Sequence, residues 1–151
     1  MTQIGCLAHA ALALEGDAFF IGEGLSRAAF VIDDVVYKVE LRAGSGENLV
    51  EHQNLEKWGR EKAHLPIGFP KTTIWAVPNS DGGLEHVIAM PFVSGENAGI
   101  CSTCYEHSEN CGRCIGIGLF LILSEEGIYD TCEENIIRDV EGNFWLIDGV
   151  Y

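Results

Sequence analysis

The stretch Asp17–Leu41, DAFFIGEGLSRAAFVIDDVVYKVEL, alternates short apolar runs with residues that are typical of turns. The apolar runs are rich in β-branched and aromatic side chains, which fit the pleated surface of a sheet. They predict three strands, at residues 19–21, 29–32 and 35–39. Gly22-Glu23-Gly24 predicts the first turn and Asp33-Asp34 the second, because glycine and aspartate tolerate the backbone angles of tight turns. Strands joined by such short turns are expected to pair as antiparallel neighbours.

The sequence on either side of this stretch adds two strands and two helices. TTIWAV (72–77) and EHVIAMPFV (85–93) predict the strands, which the turn-rich PNSDGGL joins. Residues 47–58 predict a helix after the third strand. The N-terminal apolar residues also follow a helical period, at Ile4, Leu7, Ala11 and Leu14. Residues 1–93 are therefore expected to form an antiparallel five-stranded sheet with one inserted helix.

A change in composition predicts that residues 94–151 form a second part of the same compact domain. This part begins with a polar stretch, rich in glycine and cysteine, that ends at Cys114. IGIGLFLILSEEG (115–127) follows and is apolar around its whole circumference, so as a helix it should be buried. Two short strands are expected around the turn DVEGN, at residues 135–138 and 144–147. The expected fold class is α+β.

Composition and charge exclude several classes of protein. The 151 residues are 47% hydrophobic and 21% charged, which suits one domain with a buried core rather than a disordered chain. Nine basic residues stand against 23 acidic ones, and a net charge of −14 repels phosphate backbones and anionic membranes. The longest apolar run, residues 115–123, is too short to cross a bilayer, and the N-terminus lacks the basic start of a secretory signal. We therefore expect a cytoplasmic protein with no ordinary nucleic-acid binding and no membrane partner.

The cysteine-rich stretch CSTCYEHSENCGRC (101–114) has the spacing C-x2-C-x6-C-x2-C. Each CxxC pair can turn two thiolates toward one tetrahedral ion, and the connection between the pairs is long enough to fold back. The spacing predicts a closed, structural zinc site with four ligands, Cys101, Cys104, Cys111 and Cys114. Reduced thiols, two disulfides, an iron–sulfur cluster and replacement of one ligand by His107 remain alternatives.

Lys38 lies in the third predicted strand, VVYKVE, after the Gly-x-Gly turn. Glycines allow backbone N–H groups to approach phosphates closely, and an ammonium group on a strand can then hold phosphate oxygens. The pattern is neither a Walker loop nor the strand–loop–helix of a dinucleotide site. A solvated lysine on an edge strand is the alternative.

The helix predicted at residues 47–58 offers Lys38 a partner. Glu51 shares one face of this helix with Leu55 and Trp58, so its carboxylate is expected among core residues. A buried carboxylate needs a cation, and Lys38 is the candidate. Glu56 lies on a different face and is the alternative partner.

The last segment contains Asp130 and Asn135 in the spacing D-x4-N, and Asp148 at the end of the final predicted strand. Together with the N-terminal motifs, these residues resemble the protein kinase-like superfamily, particularly its compact bacterial and phage members. The motifs that carry the resemblance are, in order, Gly22-x-Gly24-x-Ser26-Arg27, Lys38, Glu51, AMPFVSGEN (89–97), Asp130-x4-Asn135 and LIDG (146–149).

The resemblance implies a two-lobe architecture with a five-stranded N-lobe and a minimal C-lobe. It also implies that Lys38, paired with Glu51, holds the phosphates of ATP. The hinge strand HVIAMPFVSGE (86–96), which contains Met90, would meet the adenine through its backbone. The phosphates would be covered by the loop that carries Gly22, Gly24, Ser26 and Arg27.

In the C-terminal half, the resemblance implies that Asp130 accepts the proton of the attacking hydroxyl. It further implies that Asn135 and Asp148 hold Mg²⁺. The sequence departs from the usual kinase pattern at Tyr129, where an arginine is common, and at Asp148-Gly149, where the intervening phenylalanine is missing. It also stops at Tyr151, where a kinase would begin its activation segment.

These motifs predict a miniature ATP- and Mg²⁺-dependent phosphotransferase that acts on a small molecule or a partner protein. Two alternatives remain open. One is a non-catalytic kinase-like module that binds nucleotide or a protein, and the other is an acidic inhibitor that mimics nucleic acid.

Overall fold

The computed structural model of the protein describes residues 19–23, 27–41, 45–78 and 83–149, and for residues 19–23 it describes the backbone alone. The helix predicted at Ile4–Leu14 lies outside the described residues. In chain order the elements are β1 (Phe19–Glu23), β2 (Arg27–Ile32), β3 (Val35–Glu40), α1 (Glu47–Glu61), β4 (Thr73–Pro78), β5 (Leu84–Pro91), β6 (Gly95–Asn97), α2 (Ser102–His107), α3 (Gly116–Glu125), one 3₁₀ turn (Glu133–Asn135), β7 (Ile136–Asp139) and β8 (Phe144–Leu146). The predicted α+β class is confirmed, and every pair of neighbouring strands is antiparallel.

The described chain divides into two compact units. The first extends to Asn54 and resumes from Lys71 to Phe92, whereas the second comprises Leu55–Pro70 and Val93–Gly149. The first unit contains a sheet in the order β1-β2-β3-β5-β4, and the second contains a sheet in the order β6-β7-β8.

The two turns predicted from the opening stretch have different outcomes. Asp33 and Asp34 join β2 to β3 with φ angles of 48° and 62°, and positive values at both central positions are typical of a type I′ hairpin turn. The turn predicted at Gly22-Glu23-Gly24 is wrong in its position, because Gly22 and Glu23 lie in β1 and pair with β2. The hydrogen-bonded ladder therefore continues through two residues that the glycine content alone assigns to a turn.

The strand register gives the first sheet two distinct faces. One face is apolar, with Ala28, Val39 and Val87 buried at its centre and Tyr37 packed edge-on against Trp75. Residues directly opposite each other in neighbouring strands share a face of the sheet. Arg27 pairs with Glu40 and Ala29 pairs with Lys38, so the side chains of Arg27, Lys38 and Glu40 lie on the opposite face.

Helix α1 begins at the predicted residue, Glu47, but runs to Glu61, three residues beyond the predicted end at Trp58. Glu51, Leu55 and Trp58 are all buried, as their shared helical face predicts.

The second unit contains three elements that the sequence does not predict, namely strand β6, helix α2 and the 3₁₀ turn. Strand β6 is short and polar, and it is formed by pairing with β7, whose partner residues lie 40–44 positions later in the chain. Helix α2 lies within the cysteine-rich stretch, between Cys101 and Ser108. The strand expected at residues 135–138 begins one residue later, because Asn135 belongs to the 3₁₀ turn.

The prediction that the apolar helix after Cys114 is fully buried is wrong. In α3 only Gly116 and Leu123 are buried, whereas Leu121 is 53% exposed and Ile122 44% exposed. An apolar side chain prefers to be buried, but burial also requires a neighbouring element on the side of the helix where that side chain lies. Among the helices that the structure describes, none is long and apolar enough to span a membrane.

Candidate functional site

Glu51 is the centre of an ion-pair cluster in the first unit. Its side chain is fully buried, with Oε1 2.8 Å from Lys38 Nζ and Oε2 2.9 Å from Arg27 Nη1. The two cations are themselves mostly covered, at 11% and 9% exposure. Glu56 is exposed on another face of α1, so the structure pairs Lys38 with Glu51.

The sheet register explains why two cations reach one carboxylate. Arg27 and Lys38 project from adjacent strands on the same face of the sheet, together with the buried Glu40. Two carboxylates, Glu40 and Glu51, are therefore buried on the same side of the sheet as the two cations. Such proximity of opposite charges matters because an uncompensated charge at a buried position costs several kcal/mol, on the order of 3–5.

Asn48 ties this cluster to the sheet, and sequence reasoning missed it. Its fully buried amide donates from Nδ2 to the backbone oxygens of Lys38 and His86, at 2.9 and 2.7 Å. Its Oδ1 accepts a hydrogen bond from Arg27 Nη1 at 3.1 Å, and its backbone N–H donates to Glu40 Oε1 at 2.9 Å. The available signal was helical spacing, since Asn48 lies three residues before Glu51 on the same face of α1.

The other residues predicted to bind nucleotide are only partly described. The backbone of Gly22 lies in β1, and Met90 is buried in β5, opposite Val36 of β3. Gly24 and Ser26 lie outside the described residues. Arg27 begins β2, and its guanidinium contacts Glu51 and Asn48. The roles of these residues toward a nucleotide stay predictions.

The second unit contains the three predicted residues of the C-terminal half, Asp130, Asn135 and Asp148. Hydrogen bonds connect the backbone around these residues. Asn135 is buried, and its Nδ2 donates to the backbone oxygen of Asp130 at 3.2 Å. The Asn135 amide nitrogen thus donates toward Asp130, and its Oδ1 is the atom of the amide that can accept a hydrogen bond or bind a cation. The backbone N–H of Ile147 donates to the backbone oxygen of Asn135 at 2.9 Å, which brings Asp148, the next residue, toward the same turn.

An open depression of about 560 Å³ lies beside Asp130. Its wall combines carboxylates with aromatic rings, and Tyr105 packs edge-on against Phe120 with ring centroids 5.4 Å apart. The lining residues are Ile100, Ser102, Tyr105, Phe120, Tyr129, Asp130, Thr131, Cys132, Glu133 and Glu134.

The four predicted cysteine ligands converge in the second unit. Their sulfur atoms all lie within 4.8 Å of one another, with Cys111–Cys114 at 3.6 Å and Cys101–Cys114 at 3.7 Å. A tetrahedral ion with metal–sulfur bonds of about 2.3 Å places its sulfurs about 3.8 Å apart, whereas a disulfide bond measures about 2.05 Å. The observed spacing therefore fits four thiolates around one metal ion, and all four residues are free cysteines.

Backbone geometry supports thiolates at this cluster. The N–H groups of Arg113 and Gly116 donate to the sulfurs of Cys111 and Cys114, at 3.4 and 3.3 Å. Gly116 has a φ of 74°, a left-handed backbone conformation that favours glycine. His107 is exposed and does not belong to the group of converging ligands.

The thiols differ in their readiness to ionise. Backbone N–H groups of Cys114 and Arg113 lower the pKa of the Cys111 thiol to about 6. Burial, followed by hydrogen bonds with Cys101 and Cys111, raises the pKa of the Cys104 thiol to about 12. Cys104 therefore becomes a thiolate at neutral pH only when a cation offsets the loss of solvation.

No known family model matches the sequence, and no curated protein matches it either. One solved structure that is similar to this chain is the ternary complex of APH(2″)-IIa, an aminoglycoside phosphotransferase, with streptomycin and ATP. The match covers 74% of the present chain and 35% of the APH(2″)-IIa chain. The sequence identity is 16% and the TM-score is 0.37. The present chain thus spans about a third of the length of that protein.

Proposed function

We propose that this chain is a kinase-like protein that binds ATP with Mg²⁺ and transfers a phosphoryl group to a small molecule or a partner protein. The observation that carries the proposal is the sharing of the buried Glu51 between Lys38 and Arg27. The carboxylate fixes the positions of both cations, and fixed cations can neutralise phosphate oxygens without further ordering on binding.

The first unit supplies the nucleotide-binding residues in this proposal. Lys38 and Arg27 contact phosphate oxygens, and Glu51 positions them. The backbone around Gly22, Gly24 and Ser26 covers the phosphates. The backbone at Met90 contacts the adenine.

The second unit supplies the acceptor and Mg²⁺ residues. Asp130 orients the attacking hydroxyl and accepts its proton. Asn135 and Asp148 hold Mg²⁺, which neutralises phosphate charge when it is bound. Their side chains suit this ion, because Mg²⁺ prefers oxygen ligands and the Asn135 amide is anchored through its nitrogen.

Zinc is the ion that we propose for the four cysteines. Zn²⁺ favours four thiolates in a tetrahedron, and the sulfur spacing supports this geometry. Four protein ligands leave no open position for substrate, so the role is structural rather than catalytic.

A nucleotide-binding titration with and without Mg²⁺ tests the proposal. Wild-type protein should bind ATP more tightly with Mg²⁺, and Lys38→Met or Glu51→Gln should each lose about 1.5–3 kcal/mol of binding free energy. Lys57→Met and Glu56→Gln are matched controls, because both residues are exposed on the same helix, and they should bind as wild type.

Transfer of the terminal phosphate of ATP, with candidate acceptors present, is then followed with the same set of proteins. Binding without transfer would favour a regulatory nucleotide-binding module. Absence of Mg²⁺-dependent nucleotide binding in the wild-type protein would reject the proposed function.

A further inference from the structure

A short strip of backbone, Ala98–Ile100, connects the cysteine cluster to the turn that carries Asp130 and Asn135. On one side, the N–H groups of Ala98 and Ile100 donate to the backbone oxygens of Ile136 and Thr131, at 2.7 and 2.8 Å. On the other side, the backbone oxygen of Ala98 accepts from the N–H of Ile115 at 2.9 Å. Cys101 follows the strip and Ile115 follows Cys114, so both ends of the cysteine-rich stretch meet it.

Gly99 makes the contact between strip and turn unusually close. A Cβ at this position would lie 1.7 Å from the backbone oxygen of Cys132 and 2.6 Å from the backbone nitrogen of Glu133. Because both neighbours are backbone atoms, neither can move aside without a shift of the whole turn. The strip and the Asp130–Asn135 segment are therefore in direct backbone contact at Gly99.

Two more contacts link the cysteine cluster to the same region. Arg138 of β7 donates from Nη1 to the backbone oxygen of Gly112, within the second CxxC pair, at 3.2 Å. Helix α2 starts directly after Cys101 and contains Cys104, and its residues Ser102 and Tyr105 line the depression beside Asp130. Cys101 and Cys104 thus belong to a segment that forms part of the wall of that depression.

We propose that the metal ion bound by the four cysteines fixes the conformation of the Asp130–Asn135 segment and of the depression beside it. The metal joins the start and the end of the stretch 101–114, and the strip Ala98–Ile100 transmits this constraint to the turn. Without the ion the sulfurs lose their common partner. Within residues 101–114 only Cys104 and Cys114 are buried, so this stretch has little apolar burial with which to replace that link. The inference rests on the metal part of the proposed function and not on phosphoryl transfer.

Hydrogen exchange of backbone amides tests the inference directly. The amides of Ala98, Ile100 and Asn135 report on the strip and the turn, because each donates to a backbone oxygen there. After metal removal by a chelator, their exchange should become about tenfold faster or more, while amides of β3 in the first unit stay protected. Equal protection with and without metal would overturn the inference, and so would loss of protection in β3 to the same extent.

A pair of variants at one ligand separates this effect from damage by the chelator. Cys111 is exposed, so replacing it leaves the core intact. Cys111→Ala should reproduce the faster exchange, whereas Cys111→His, which restores a fourth zinc ligand, should return it toward the wild-type rate. Zinc content is measured on every sample. Wild-type protein without zinc would reject the metal assignment itself, whereas zinc-loaded wild type with unchanged exchange on chelation would reject only the proposed link to the turn.

Discussion

Glu51 divides its two carboxylate oxygens between Lys38 and Arg27, at 2.8 and 2.9 Å. A strand lysine paired with a helix carboxylate was expected from the sequence, but the second cation on the same carboxylate was not. The shared carboxylate makes the cluster sensitive to single substitutions, because each partner is mostly buried.

Glu51→Gln should destabilise the fold as well as nucleotide binding. The change removes the negative charge that both buried cations share, and should lower the free energy of unfolding by about 3 kcal/mol. Urea unfolding at neutral pH measures the loss. Glu56→Gln, on the exposed side of the same helix, should stay within about 0.5 kcal/mol of wild type. Equal effects of the two substitutions would contradict the buried ion-pair cluster.

Asn48→Ala should destabilise the first unit by about 2–4 kcal/mol, because it removes the donors that satisfy the backbone oxygens of Lys38 and His86. Asn48→Asp should be worse, since it adds a carboxylate beside those oxygens and Glu40. Urea unfolding compares both variants with Gln53→Ala, an exposed substitution in the same helix. A small effect from Asn48→Ala, similar to that of Gln53→Ala, would show that this amide does not anchor α1.

The zinc assignment predicts different outcomes for two exposed cysteines. Cys111→Ser should lower the zinc content below one ion per chain and reduce the melting temperature by about 5–10 °C, because metal binding is coupled to folding. Cys132 does not belong to the group of converging ligands, so Cys132→Ser should leave the zinc content and the melting temperature unchanged. Elemental analysis and thermal unfolding measure them. Identical melting curves for Cys111→Ser and wild type would rule out a structural metal.

Asp139 predicts a specific dependence of stability on pH. Hydrogen bonds from Trp145 Nε1 and from the backbone N–H groups of Asn143 and Glu141 hold its pKa below the ordinary value of 3.8. Since the folded-state pKa is the lower one, this stabilisation is complete well above pH 3.8 and is lost as the pH falls through that value and then the folded-state pKa.

Asp139→Asn should therefore flatten the fall in unfolding free energy on acidification, measured by urea unfolding between about pH 3 and pH 6. Glu141→Gln is the control, because this exposed carboxylate lies in the same turn. The same acid dependence in Asp139→Asn and wild type would contradict the assigned role of these hydrogen bonds.

Local patterns in the sequence were sufficient for most of the fold. Short apolar runs bounded by turn residues located β2, β3 and β5, and the shared helical face of Glu51, Leu55 and Trp58 located a buried carboxylate. The spacing of the cysteines located the cluster for the same reason, since two CxxC pairs bring four sulfurs together whatever surrounds them. Each of these features is encoded within a few consecutive residues.

The features that sequence reasoning missed depend on residues far apart in the chain. The contact of Arg27 with Glu51 requires the register of β2 against β3, and the position of Asn48 requires β5 as well. Strand β6 has no apolar pattern and is specified by its partner β7. The exposure of Leu121 and Ile122 depends on which elements cover α3, which composition cannot supply.

The proposed division of roles between Asp130 and Asp148 gives the most direct test of the central claim. ATP affinity with and without Mg²⁺, together with transfer of the terminal phosphate, is measured for wild type, Asp130→Asn and Asp148→Asn. The account predicts that Asp148→Asn loses the gain in affinity that Mg²⁺ gives, because a charged ligand of the ion is removed. Asp130→Asn should bind ATP and Mg²⁺ as wild type and lose transfer by about 100-fold or more, because the acceptor hydroxyl loses its base. Equal losses of binding in both variants, or unaltered transfer in Asp130→Asn, would contradict the account.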